Sequence, residues 1–97
     1  MSIILSEAES WSVREILVSH LGPVDVRFFG SRAKGGARRF SDLDLAIMAE
    51  QPLEPLKRAE LREAFSYSDL GFRVDILEWA TASSEFRRAV ECDLVPL

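Results

Sequence analysis

The sequence predicts an α/β (α+β) domain in which helices flank a small, mixed, three-stranded sheet, in the order α-β-α-β-α-β-α. Three stretches carry apolar residues at helical spacing, and three others alternate apolar and polar residues as half-buried strands do. Glycine, proline and serine stand at the joins between these stretches. Because the 97 residues contain no visible linker, repeat or low-complexity tract, residues 1–97 are expected to form one domain.

The first helix is placed by its cap and its apolar face. It is predicted from about Ser6 to Leu21, and Gly22-Pro23 ends it. Two capping boxes fit its start, Ser6 with Glu9 and Ser12 with Glu15, so the start is open by a turn or two. The residues expected on its buried face are Val13, Ile16, Leu17 and Leu21.

Three further helices follow. A short one is predicted over Ser31–Lys34, broken by Gly35-Gly36, and a longer one from Pro55 to about Ser68. The apolar side of the longer helix comprises Leu53, Leu56, Leu61, Ala64 and Phe65. The last helix is predicted from Ser83 to about Cys92, with Phe86, Ala89 and Val90 buried. The tail 93–97 has no assigned structure.

The strands are predicted over residues 24–29, 42–48 and 72–79. Because side chains alternate between the two faces of a strand, Asp42 and Asp44 lie on one face of the second strand, opposite its leucines. Asp75 lies opposite Val74 and Ile76 on the third strand.

Charge and composition exclude several classes of function. A net charge of −4 argues against a surface that coats nucleic acid, and no apolar run approaches the length of a membrane span. The single cysteine, Cys92, excludes an internal disulfide and favours a reduced, cytoplasmic location. Five basic residues and no acidic one lie between Arg27 and Arg39, which indicates a local anion site; the alternative is a solvated arginine-rich loop.

Asp42 and Asp44 form the first part of a candidate site. Aspartates at positions i and i+2 of a strand project from the same face, with Cα atoms about 6.5–7 Å apart. Such carboxylates repel unless a cation lies between them or they face open water. Their oxygen ligands suit Mg²⁺ or Mn²⁺. The alternative is a solvated pair at a sheet edge, and this motif alone does not decide between the two.

Gly30-Ser31 forms the second part. A strand, a Gly-Ser turn and a helix start make a geometry that binds phosphate through the free backbone N–H groups and the serine hydroxyl. The connection that follows is basic, carrying Arg32, Lys34, Arg38 and Arg39. An anion cradle beside a metal-binding pair favours a site for a metal-bound nucleoside triphosphate.

Asp75 is the candidate third carboxylate. A centre of two metal ions needs a further carboxylate to orient the ions and help deprotonate an acceptor hydroxyl. Asp75 stands among apolar residues of a predicted strand, where an aspartate is costly unless it is compensated. The alternative is a buried carboxylate paired with Arg73 or Arg27.

These residues carry a resemblance to a known family. Gly30-Ser31, ten intervening residues, Asp42-Leu43-Asp44 and the later Asp75 resemble the nucleotidyltransferase superfamily that includes DNA polymerase beta and kanamycin nucleotidyltransferase. More narrowly, GSRAKG and SDLDLAI resemble the minimal nucleotidyltransferase (MNT) antitoxins, bacterial and archaeal proteins that are paired with HEPN-domain ribonuclease toxins. The resemblance covers nearly the whole chain.

The resemblance implies an activity and a set of roles. Gly30, Ser31 and Arg32 would hold the phosphates of ATP, and Asp42, Asp44 and Asp75 would bind two Mg²⁺ ions. The chain would transfer AMP from ATP to a tyrosine hydroxyl of a HEPN toxin, its partner in a hetero-oligomer, with no membrane and no direct nucleic-acid contact. Larger relatives carry an added helical domain, and the twenty-two residues after Asp75 are too few to form one, so the far wall of the site is expected to come from another chain or to be absent.

Two alternatives stay open. One is a non-catalytic antitoxin that neutralises its partner by occlusion. The other is a free-standing enzyme that modifies a small molecule such as an aminoglycoside.

Overall fold

The computed structural model describes residues 5–34 and 41–97, without the side chains of Ser31 and Lys34. The helices and strands, in chain order, are α1 (Glu7–Leu21), β1 (Val26–Phe29), α2 (Ser31–Lys34), β2 (Leu43–Ile47), α3 (Pro55–Ser66), β3 (Val74–Glu78), α4 (Ser84–Val90) and β4 (Val95–Pro96). Single turns of 3₁₀ helix follow β3 at Trp79–Thr81 and α4 at Glu91–Asp93. The predicted order of elements is confirmed, and β4 adds a fourth strand in the tail.

The described strands form one mixed sheet in the order β3-β2-β1-β4. β2 pairs antiparallel with β1 and parallel with β3, so it lies between the strand that leads to Gly30-Ser31 and the strand that carries Asp75. β1 also pairs antiparallel with β4. The α/β fold with a small mixed sheet is therefore as the sequence predicts.

The core lies between one face of the sheet and the pair α1 and α3, which pack against each other. Its fully buried side chains are Leu43, Leu45 and Ile47 from β2, Val13 from α1 and Leu61 from α3. The alternation of β2 predicted this face, because every second residue of a strand points the same way. Burial of this face leaves Asp44 on the other side of the sheet.

The start of α1 is settled by its cap. The Ser6 hydroxyl accepts the N–H of Glu9, and the Glu9 carboxylate accepts the N–H of Ser6, so the first of the two predicted capping boxes forms. At the other end of the helix, Nδ1 of His20 lies 2.9 Å from the carbonyl oxygen of Ile16.

The burial predicted for Leu56 and for the three apolar residues of α4, Phe86, Ala89 and Val90, is wrong. Leu56 is 71% exposed, because it lies five residues before Leu61 and so points about 140° away from the buried side of α3. In α4, Phe86 is 37% exposed and Ala89 is also exposed, because this seven-residue helix lies outside the core and contributes no buried residue. Phe86 instead meets Phe29 edge-to-face, with ring centroids 5.8 Å apart.

None of the helices in the described ranges is long and apolar enough to cross a membrane.

Candidate active site

The three predicted aspartates lie at neighbouring strand ends. Asp44 of β2 is the direct register partner of Asp75 of β3. Directly opposed residues of paired strands project from the same face of a sheet, so these two carboxylates lie side by side. Asp42, two residues before Asp44, projects from the same face just before β2 begins. The structure thus brings together the three carboxylates that the sequence singled out.

Gly30 closes against this cluster from β1. Its φ is +79°, a left-handed conformation that glycine adopts without strain and other residues rarely do. Phe29 is the register partner of Asp44. Because of this pairing, the turn that follows β1 lies over Asp44. A Cβ added at Gly30 would overlap Oδ2 of Asp44 and stand 3.3 Å from its Cγ. Gly30 is therefore required twice, for the turn and for the space that the Asp44 carboxylate fills.

A guanidinium joins the other two carboxylates. Nη2 of Arg73 lies 3.1 Å from Oδ2 of Asp42 and 3.4 Å from Oδ2 of Asp75. Because both oxygens lie against the same nitrogen, they are at most about 6.5 Å apart. Asp42 and Asp75 thus converge on one point in space.

Asp44, the remaining carboxylate of the three, has a raised pKa because of its burial and this convergence. Burial raises the pKa of Asp44 above its usual value, and the negative charges of Asp75 and Asp42 raise it further, while Arg73 opposes them. A group of like charges held this closely favours any cation that can enter it.

The expected surroundings of Asp75 need a correction. The sequence suggested an aspartate in an apolar setting, yet Asp75 is exposed, because β3 lies at an edge of the described sheet. The pairing with Arg73 that the sequence left as an alternative does form, but as an exposed ion pair rather than a buried one. Asp75 is therefore open to solvent and to an incoming molecule.

Arg32 is packed into the protein. It is 5% exposed, its Nε donates to the carbonyl of Ser41 at 3.0 Å, and its guanidinium carbon lies 4.1 Å from the ring centroid of Phe72. These contacts tie α2 to the residue before Asp42 and to the approach to β3. The sequence did not predict this positioning role of Arg32, because no sequence pattern indicates that Ser41 and Phe72 contact it.

Part of the predicted phosphate cradle lies outside the described residues. The backbone of Ser31 begins α2, and the N–H of Ala33 donates to the carbonyl of Gly30 at 3.1 Å, which forms the predicted turn. The side chains of Ser31 and Lys34 fall outside the description, as do the residues 35–40 with their basic pair Arg38 and Arg39.

An open groove runs beside Asp75, between the end of α3 and β3. Its lining includes Tyr67, Phe72, Arg73 and Asp75. Tyr67 is among the most exposed large apolar side chains in the described ranges. The sequence did not predict this groove, since it depends on how α3 packs beside β3.

The donor set suits a hard divalent cation, although the side chains are not arranged as a finished metal cage. In the part of the chain that the structure describes, no three acidic, histidine or cysteine side chains are gathered in a geometry that holds an ion. Asp42 and Asp75 meet the guanidinium of Arg73 instead. Three converging carboxylates still provide the oxygen ligands that Mg²⁺ and Mn²⁺ prefer.

The chain matches a known family over most of its length. Residues 12–95 match the family described as Polymerase beta, Nucleotidyltransferase. A Haemophilus influenzae relative, named "Probable protein adenylyltransferase MntA", is 53% identical over 78 residues, which cover 80% of this chain and 68% of that protein.

Solved structures give the same relationship. A toxin–antitoxin crystal structure with AMP-PNP aligns with a TM-score of 0.73 and 26% identity, covering 88% of this chain and 68% of the other. A mutant MntA–HpeT toxin–antitoxin structure aligns with a TM-score of 0.73 and 26% identity over 96% of this chain and 72% of the other. A structure described as a minimal nucleotidyltransferase aligns with a TM-score of 0.70 and 32% identity, covering 100% and 97%. The resemblance noted in the sequence is confirmed: this chain belongs to the polymerase beta-like nucleotidyltransferase family, among the relatives of the MntA antitoxins.

Proposed function

We propose that this chain is an antitoxin that transfers AMP from ATP to a tyrosine hydroxyl of a HEPN-domain toxin and so inactivates it. The observation that carries the proposal is the direct register of Asp44 and Asp75, with Asp42 beside them and Gly30 closed over Asp44. The 53% identity to an MntA adenylyltransferase and the likeness to a toxin–antitoxin structure with AMP-PNP support the nucleotide, the reaction and the kind of partner.

Each part of the site has a proposed role. Asp42, Asp44 and Asp75 hold two Mg²⁺ ions, which when bound would neutralise the charge that develops as the α-phosphate is transferred. The turn at Gly30-Ser31 holds the β- and γ-phosphates through its backbone N–H groups. Arg32 assists that turn from its fixed position against Phe72 and the Ser41 carbonyl.

The acceptor is proposed to arrive along the open groove beside β3. Asp75 lines this groove and is exposed, so an acceptor hydroxyl can approach its carboxylate. Asp75 takes part in removing the proton from that hydroxyl, whose oxygen then attacks the α-phosphorus of ATP, and pyrophosphate leaves. A protein acceptor suits a groove that is open and partly aromatic, with Tyr67 and Phe72 on its walls.

The test is transfer of label from ATP carrying a labelled α-phosphate. The wild-type chain is incubated with Mg²⁺, this ATP and a HEPN toxin encoded beside it, and covalent label on the toxin is expected. Asp42→Asn combined with Asp44→Asn should abolish the label. Asp25→Asn is the matched control, because Asp25 is an exposed aspartate at the opposite end of β1 from Gly30.

The same variants separate transfer from occlusion. If the Asp42→Asn/Asp44→Asn chain protects cells from the toxin as well as the wild type does, neutralisation by binding alone is the better account. Label on a small-molecule acceptor in the absence of any partner would instead favour a free-standing enzyme.

A further inference from the structure

Arg73 occupies an unusual place between two of the site's carboxylates. Its Nη2 contacts both Asp42, at 3.1 Å, and Asp75, at 3.4 Å. Asp42 lies just before β2 and Asp75 lies in β3, so a single side chain bridges the approach to one strand and the neighbouring strand. This is the point at which a cation shared by the two carboxylates would lie.

The backbone of Arg73 is fixed while its side chain is free to leave. The carbonyl of Arg73 accepts the N–H of Leu43 at 2.8 Å, which anchors the residue to the start of β2. Its side chain, however, is 73% exposed. The guanidinium can therefore turn out into solvent without disturbing the strand that carries Asp75.

Arg32, a second cation next to the site, has different surroundings. Arg32 is buried, stacks on Phe72 and donates to the Ser41 carbonyl, so moving it would break packing as well as hydrogen bonds. Exposed ion pairs like those of Arg73 are weak and are screened by salt. A divalent cation, which carries twice the charge and binds carboxylate oxygens directly, competes with such pairs.

We propose that Arg73 is an internal counter-ion that holds Asp42 and Asp75 together in the metal-free chain and is displaced when a divalent cation binds. This rests on the proposed function, in which the three aspartates bind the metal. Arg73 is then a positioning residue that sets the metal affinity: it keeps the carboxylates converged before binding, and its displacement is a cost that binding must overcome.

The proposal predicts opposite effects of one substitution in two states. In Arg73→Gln the competing cation is gone, so the site should bind Mn²⁺ more tightly, by about three- to tenfold, the range that the loss of exposed ion pairs gives. Without metal, the same variant leaves the carboxylates without their counter-ion, so its melting temperature should fall. Saturating Mn²⁺ should then raise that melting temperature by more than it raises that of the wild type.

The experiment measures Mn²⁺ binding by calorimetry in the absence of nucleotide, with melting temperatures in EDTA and in Mn²⁺. Arg73→Lys keeps the charge and should bind close to the wild type. Arg73→Met, which also removes the charge, replaces Arg73→Gln if that variant does not fold, and it should likewise bind Mn²⁺ more tightly. Arg14→Gln is the matched control, because Arg14 is an exposed arginine of α1 near the start of β1, at the opposite end of that strand from Gly30. It should leave both quantities unchanged.

Asp44→Asn separates the possible failures. If Asp44→Asn abolishes Mn²⁺ binding while Arg73→Gln binds equally or more weakly than the wild type, the counter-ion role is refuted and the metal site stands. If Asp44→Asn binds Mn²⁺ as the wild type does, the metal site of the proposed function is itself refuted, and the role of Arg73 with it. Tighter binding by Arg73→Gln, lost again on adding Asp44→Asn, supports the proposal.

Discussion

Gly30→Ala should damage the site much more than it damages the fold. Gly30 has a φ of +79°, and an added methyl group would occupy the space of Oδ2 of Asp44. Either the turn or the carboxylate must move. The Asp44 side chain is the softer of the two, so we expect it to rotate away from Asp42 and Asp75.

The size of the effect follows from two separate terms. Holding a non-glycine residue in the left-handed region costs about 1–2 kcal/mol. For a domain of this size that lowers the melting temperature by about 5–15 °C. Displacing a catalytic carboxylate by about 1 Å lowers the rate of AMP transfer by about a hundredfold.

Gly22→Ala is a control that introduces backbone strain at a positive φ without a contact to the site. Gly22 has a φ of +73°, but no atom lies within 4 Å of where its Cβ would stand. Both variants should therefore lose stability, measured by thermal unfolding, while only Gly30→Ala should lose label transfer per mole of folded protein. If Gly30→Ala retained wild-type activity, or if Gly22→Ala lost as much, the contact between Gly30 and Asp44 would not control the site.

Three further outcomes are expected. Asp44→Asn should raise the melting temperature in EDTA near neutral pH. Folding raises the pKa of Asp44, so the ionised carboxylate destabilises the folded state at any pH above the pKa that Asp44 has in the unfolded chain. An unchanged melting temperature would argue against repulsion between the carboxylates. Hydrogen bonds from Arg58 and from the N–H of Leu53 lower the pKa of Glu78 in the folded state. Its contribution to stability is therefore present above its unfolded pKa and is lost as the pH falls through its folded pKa. Glu78→Gln should lower the free energy of unfolding, measured in urea, by about 2 kcal/mol at pH 7 and by less at acid pH. Arg32→Met should lower stability by about 1–2 kcal/mol, because it removes the hydrogen bond to Ser41 and the cation–π contact with Phe72; full stability in thermal unfolding would contradict the packing role.

The strand periodicity of the sequence was enough to predict which side chains share a face. It placed Asp42 and Asp44 opposite the buried leucines of β2, and the structure confirms that division. Register was not available from the sequence, because pairing of Asp44 with Asp75 depends on the crossover through α3. The sequence was therefore enough to identify these aspartates as candidate site residues, but only the structure shows that they lie close together.

Two of the errors, at Asp75 and at Phe86, have a common physical origin. Apolar neighbours along the chain predict that Asp75 and Phe86 are buried, but they do not determine burial in space. Asp75 is exposed because β3 is at an edge of the sheet, and Phe86 is exposed because α4 lies outside the core. Edge position and helix placement are tertiary properties, which local sequence pattern does not carry.

The short strand β4 fixes where anything attached to the chain's last residue would emerge. β4 runs antiparallel to β1, with Val95 beside Phe28, Pro96 beside Arg27, and the N–H of Leu97 donating to the carbonyl of Val26. The chain thus travels along β1 away from Gly30 as it approaches Leu97. A fluorophore or surface tether joined after Leu97 would therefore leave at the far end of the sheet, keeping the carboxylate face open for binding measurements on an immobilised protein.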